Sequence, residues 1–142
     1  MSPPTEQRLT NILVVDDDAV DVMNVKRAFA RAQANHRLFV AGDGLEALEL
    51  LRGGTVPAER RLILLDINMP RMNGLEFLRA LREDPALQAT PVVILTTSAD
   101  ERDRAEAYRL NVAGYMLKPV TAVAFSELMS ALDRYWSLVE MP

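Results

Sequence analysis

Five short apolar runs, each followed by residues at helical spacing, constrain this chain more than any other feature. They cover residues 12–15, 38–41, 62–65, 91–97 and 113–117. Continuous apolar runs of this length suit strands buried on both faces, as in a parallel sheet. Between the first two, Val22, Val25, Phe29 and Ala32 form an amphipathic stripe. Asp18 can cap that helix, and Asp21 in its first turn suits the positive end of the dipole. Leu45, Leu48 and Leu51 are read as the inward face of a second helix, which Gly53-Gly54 stops. A third helix carries Leu75, Leu78 and Leu81 with Phe77 beside them, and Asp84-Pro85 ends it. Residues 100–110 are strongly charged and should form the most exposed helix of the set. A last helix, from about Thr121, places Phe125, Leu128, Met129, Leu132, Trp136 and Val139 on one broad face. Strict alternation of this kind calls for an α/β fold, a doubly wound parallel five-stranded sheet with right-handed crossovers and helices on both faces.

The chain has 142 residues, enough for one domain with a real core and too few for two ordinary ones. Residues 1–9, with Pro3-Pro4, are expected to be a flexible lead-in, and residues 10–142 a single domain including the C-terminal helix and tail. A hydrophobic fraction of 49% and a charged fraction of 25% are those of a soluble globular protein. The net charge of −4 leaves no basic stripe to neutralise phosphates, which argues against a dedicated nucleic-acid binder. Without cysteine there is no disulfide, thiol chemistry or zinc–thiolate site. No apolar run reaches membrane-spanning length and no signal-peptide pattern opens the chain, so the cytoplasm is the expected address.

Chemistry concentrates where the strands end. Strand one runs into Asp16-Asp17, strand three into Asp66, strand four into Thr96 and strand five into Lys118. Parallel strands place all their carboxyl ends on one side, where open α/β sheets bind ligands, so these groups can converge. Three carboxylates together repel one another unless a cation shares the space. Hard oxygen donors with room for water suit Mg²⁺ better than zinc. Lys118 adds a point charge and Thr96 a hydroxyl, both able to bind a phosphoryl oxygen. A carboxylate nucleophile, a divalent metal and a cationic clamp together suit phosphoryl transfer to an aspartate.

These residues carry a resemblance. Asp16-Asp17, Asp66, Thr96 and Lys118-Pro119, with the run from Leu65 to Gly74, resemble the receiver domain of two-component response regulators. The resemblance spans residues 11–132 and implies the flavodoxin-like strand order 2-1-3-4-5. It implies that Asp66 accepts a phosphoryl group from a sensor histidine kinase. It implies Mg²⁺ held directly by Asp17 and Asp66, by Asp16 largely through water, and by the main-chain carbonyl of Asn68. Lys118 would pair with the phosphoryl group, across a cis peptide to Pro119. Thr96 would move to hydrogen-bond the phosphate and Tyr115 would turn inward, switching the face of helix four, strand five and helix five. Asn68 and Ser98 stand where the family tunes phosphate lifetime, and Thr97 where it often has a smaller residue.

A finer resemblance rests on residues 17–22, the loop from Gly53 to Arg61, the run Leu95 to Ser98, and the ending from Tyr135 to Pro142. These resemble stand-alone regulators of bacterial phytochrome kinases, whose members commonly form homodimers through the last strand and helix or a C-terminal arm. Such a regulator is a phosphoacceptor and not a conventional enzyme. A phosphorelay shuttle to a histidine phosphotransfer protein, a constitutive adaptor and a Mg²⁺-dependent aspartyl-phosphate hydrolase are the other readings. Asn68, two residues after Asp66 where such hydrolases need a second acid, speaks against the last. Asp18 reads as a cap and not a metal ligand, and the single histidine, His36, as a solvated loop residue and not a phosphoryl carrier. Tyr135 and Trp136 can cover the chain's own core or serve a dimer, and the charges of residues 100–109 read as a solvated helix face.

Overall fold

Asn11–Val15, Arg61–Leu65 and Val92–Thr96 are each buried along their whole length, as continuous apolar runs in the middle of a sheet require. In the computed structural model, which describes residues 9–31 and 36–138, they are β1, β3 and β4. Arg37–Ala41 (β2) and Gly114–Leu117 (β5) complete a five-stranded parallel sheet in the order β2-β1-β3-β4-β5. Both outer strands are partly exposed, as edges are. The helices are α1 (Ala19–Arg31), α2 (Gly44–Arg52), α3 (Gly74–Glu83), α4 (Glu101–Arg109) and α5 (Ala122–Leu138). Most of the lead-in (1–8), Ala32, and the tail from Val139 lie outside the described residues.

Because side chains alternate across a strand, each central strand feeds two cores. Ile12, Val14, Leu62, Leu64, Val93 and Leu95 pack with Val25 and Phe29 of α1 and with Phe125, Met129 and Trp136 of α5. Leu13, Val15, Ile63, Leu65 and Ile94 pack on the other face with Leu48, Leu51, Phe77, Leu78 and Leu81 of α2 and α3. Each fully buried leucine or phenylalanine contributes about 1.5–3 kcal/mol relative to exposure. α4 buries only Ala107. No helix among the described residues is long and apolar enough to cross a membrane.

Three expectations change. Leu45 is 41% exposed, and α2 instead buries Gly44, Ala47, Leu48 and Leu51. The spacing 45, 48, 51 has a period of three, so it drifts off a helix face; 44, 47, 48, 51 keeps to it. Trp136 and Tyr135 part company, since Trp136 is buried in the core while Tyr135 is 61% exposed. His36 is not solvated. Its ring is 3% exposed, edge-on to Phe29, with Nδ1 accepting from the Thr10 N–H at 3.2 Å. An Nδ1 that accepts leaves Nε2 to carry the proton, which it presents to the Asp133 carboxylate of α5. The residue before β2 is thus used to bind α5 to the sheet.

Candidate functional site

Asp66 follows the last residue of β3 and is held from two sides. Its N–H donates to the Val15 carbonyl of β1 at 2.9 Å, extending the sheet by one residue. Behind it, α3 starts at Gly74, whose N–H donates to the Ile67 carbonyl at 2.8 Å. A Cβ on Gly74 would stand 2.2 Å from the Asp66 carbonyl oxygen, so only glycine lets the helix start this close. Asn73 and Glu76 close that helix with a reciprocal capping box. The intervening loop is tied to the start of α2: Arg71, with φ of 61°, donates to the Asp43 carboxylate, and the Gly44 N–H to the Met72 carbonyl.

The sheet brings Asp16, Asp17, Asp66 and Lys118 together at its carboxyl edge. One carboxylate oxygen from each of Asp16, Asp17 and Asp66 lies within 4.8 Å of the others. Asp16 and Asp66 are buried, whereas Asp17 faces solvent. Asp16 Oδ1 accepts the Asp18 N–H at 2.9 Å, and Asp66 Oδ1 the Asn68 N–H at 3.4 Å. Lys118 Nζ lies 2.9 Å from Asp16 Oδ2 and 3.2 Å from Asp66 Oδ2. Burial pushes the Asp16 carboxyl above the usual carboxylate range, and the charge of Asp66 adds to this against the hydrogen bonds from Asp18 and Lys118. Burial also works against the Lys118 charge, but hydrogen bonds to Asp21 and Asp16 and the charges of Asp16 and Asp66 together raise its pKa. A cluster of hard, crowded oxygens fits a divalent cation.

Asp21 was visible in the sequence only as a first-turn acid. Its Oδ2 is 2.7 Å from Lys118 Nζ, the shortest of the three contacts. Asp18 is a cap, its Oδ1 accepting from the Val20 and Asp21 N–H groups. Thr96 is fully buried at the end of β4, its hydroxyl accepting from the Ser98 N–H and its carbonyl from the Lys118 N–H. The Tyr115 hydroxyl donates to the Ser98 carbonyl at 2.9 Å, so the ring is docked over the loop that follows Thr96. Asn68 is exposed and lines, with Asp17, Met69, Pro70 and Asp103, an open depression of about 590 Å³. The Lys118–Pro119 bond is trans, since the described residues contain no cis peptide. The trans isomer is the intrinsically favoured one, and from it Lys118 already reaches Asp16, Asp21 and Asp66.

A doubly wound sheet with a carboxylate pocket and a lysine at its carboxyl edge offers oxygen donors that could hold a cation, where such sheets bind ligands. Residues 12–133 match the model of the response regulator receiver domain, and the chain belongs to that family of two-component phosphoacceptor domains. Among relatives, it is 34% identical over 130 residues to the probable methanogenesis regulatory protein FilR2 of Methanothrix harundinacea, covering 88% of this chain and 82% of that one. It is 33% identical over 128 residues to the response regulator Rcp1 of Synechocystis sp., covering 88% and 87%. The solved Mn²⁺-bound form of Rcp1 superposes with a TM-score of 0.82 at 32% identity over 95% of this chain and 99% of that one. The phosphorylated cyanobacterial phytochrome response regulator RcpA does so with a TM-score of 0.85, 32% identity and the same coverage.

Proposed function

We propose that Asp66 is the phosphoacceptor of a signalling switch charged by a sensor histidine kinase, with Mg²⁺ as the divalent cation. The observation that carries this is the single lysine set between Asp66 and Asp16, beside an exposed Asp17. Asp16, Asp17, Asp66 and the Asn68 carbonyl would hold the ion, which when bound offsets carboxylate repulsion and draws charge from the transferring phosphoryl group. An Asp66 oxygen attacks phosphorus as the phosphorus–nitrogen bond of the donor's phosphohistidine breaks, and the imidazole leaves with that electron pair. Lys118 then meets the new phosphoryl oxygens with its charge, and the Thr96 hydroxyl supplies a hydrogen bond. If Thr96 moves toward the phosphate it draws on the Ser98 segment that Tyr115 now grips, which couples Asp66 to the β5 face. Exposed Val20, Met23 and Val120 beside this edge provide apolar area for a kinase helix.

The likeness to Rcp1 and RcpA supports the finer reading of a phytochrome-type kinase in the cytoplasm. A homodimer through β5, α5 and the C-terminal tail is supported by exposed apolar side chains, Leu117, Tyr135 and Leu138 being 52%, 61% and 77% exposed. The phosphoacceptor reading is tested by intact mass after treatment with acetyl phosphate and Mg²⁺. One phosphoryl adduct is expected on the wild type and none on Asp66→Asn, and an equal adduct on both would sink the assignment. For the dimer, Tyr135→Asp should sediment as a monomer at concentrations where the wild type is dimeric, and unchanged sedimentation would count against this face.

A further inference from the structure

Asp21 is the partner Lys118 approaches most closely, at 2.7 Å, against 2.9 Å for Asp16 and 3.2 Å for Asp66. It belongs to the first turn of α1, with its side chain 23% exposed, and stands outside the three-carboxylate cluster that fits a cation. It therefore engages the lysine without serving the ion. An ammonium has three N–H donors, and each here faces a different carboxylate. A phosphoryl group on Asp66 can take over the donor that now faces Asp66, but any further donor, or a closer approach of the ammonium, must come at the expense of Asp16 or Asp21.

We propose that Asp21 is a positioning residue that competes with the phosphoryl group for Lys118 and so restrains phosphorylation of Asp66, an inference that rests on the phosphoacceptor reading above. In transfer from acetyl phosphate, an Asp66 oxygen bonds to phosphorus, the bond from phosphorus to the acetate oxygen breaks, and acetate departs with the electron pair. No proton need move. The single negative charge of the carboxylate gives way to the roughly −2 of a phosphoryl group, so the pocket becomes more negative. Asp21 is a negative charge already in place, bonded to the lysine that also contacts Asp66. Without it, Lys118 is released toward Asp66.

The same change has the opposite sign for a metal. Removing Asp21 subtracts a negative charge from the neighbourhood and frees Lys118 to compete for the oxygens of Asp16 and Asp66. Anion capture should rise while cation affinity falls, and a damaged fold cannot produce that pair of effects.

The experiment compares the full-length wild type with Asp21→Asn, Asp21→Ala and Asp21→Glu. Acetyl phosphate is supplied at Mg²⁺ concentrations that saturate each variant, adduct formation is followed by intact mass, and Mg²⁺ affinity is measured by calorimetry. The Asn and Ala variants should be phosphorylated about 3- to 10-fold faster and bind Mg²⁺ about 3- to 10-fold more weakly, as loss of one nearby charge in a half-buried site implies. Asp21→Glu should restore both values toward the wild type. A wild type that accepts phosphate while Asp21→Asn accepts it no faster overturns this inference alone. Rate and affinity falling together, without rescue by Glu, overturn it as well. No adduct on the wild type from acetyl phosphate or from a kinase overturns the phosphoacceptor reading and this inference with it.

Discussion

The two ends of the sheet treat charge in opposite ways. At the amino edge, Arg82 donates to the carbonyls of Gln88, Thr90, Leu110 and Asn111, tying α3 to the segments that lead into β4 and β5. Arg61 donates to the carbonyls of Val56 and Pro57, and His36 joins Thr10 to Asp133. Each cation or ring there is answered by neutral carbonyls or by one acid. At the carboxyl edge, Asp16, Asp21 and Asp66 share the single Lys118, with Asp17 beside them. The first arrangement ties neighbouring segments of the fold together. The second is left short of positive charge, and that shortage is what the proposed cation and phosphoryl transfer would draw on. The difference teaches where to look for function in such a sheet: where several acids converge on fewer cations.

If the amino edge is purely structural, breaking it should cost stability and spare the chemistry. Arg82→Ala strips four carbonyls of a charged donor at once. A loss of about 2–4 kcal/mol is expected, because hydrogen bonds to a charged group are worth more than neutral ones and are not additive. Urea denaturation checks the size, and the rate of adduct formation at Asp66 should stay within about twofold of the wild type. A loss below about 1 kcal/mol, or a large change in that rate, would break the comparison.

At the carboxyl edge, removing a charge should have the opposite sign. Asp16→Asn keeps an Oδ1 to accept the Asp18 N–H and removes a buried charge crowded by Asp17 and Asp66, while giving up the Lys118 ion pair, which leaves Lys118 with Asp21 and Asp66. In metal-free buffer we expect this variant to be more stable than the wild type by about 1–2 kcal/mol, with the advantage lost when Mg²⁺ is added. Thermal melts with chelator and with Mg²⁺ decide it. A metal-free variant that melts lower than the wild type would mean that Lys118 already balances the pocket.

The same division governs what was legible in the sequence. The strands could be read because runs buried on both faces are apolar throughout, and Asp16, Asp17, Asp66 and Lys118 because a parallel sheet puts every strand end on one side. The strand order came from the family resemblance, not from periodicity. Asp21 could not be read as a partner of Lys118, because its position depends on how α1 leaves β1, and an acid in a first turn is explained well enough by the helix dipole. His36 looked like a loop residue because its two partners, Thr10 and Asp133, are 26 and 97 positions away. The bond before Pro119 is trans, the intrinsically favoured isomer, where the family resemblance implied cis.

Asp43 sharpens the comparison, because it lies at the carboxyl edge but outside the pocket. It follows β2, is buried, and has its charge met. Its Oδ1 accepts the Glu46 N–H at 2.9 Å as the N-cap of α2, and its Oδ2 takes Arg71 Nε at 2.6 Å. The Glu46 N–H first, and then Arg71, hold its carboxyl below the usual carboxylate range. If balance rather than location decides, Asp43 should behave as an amino-edge residue, and Asp43→Ala should cost about 1 kcal/mol at neutral pH, the ordinary value of a lost cap. The pH dependence has a definite sign. A carboxyl with a lower pKa in the folded than in the unfolded chain adds stability above the unfolded value, near 3.9, and loses it as pH falls through the folded value. The stability gap between wild type and Asp43→Ala should therefore be constant from pH 6 to 8 and narrow below about pH 4. A gap that stayed constant into acid would show that the side chain caps α2 as well protonated as ionised, and that Arg71 adds nothing to it.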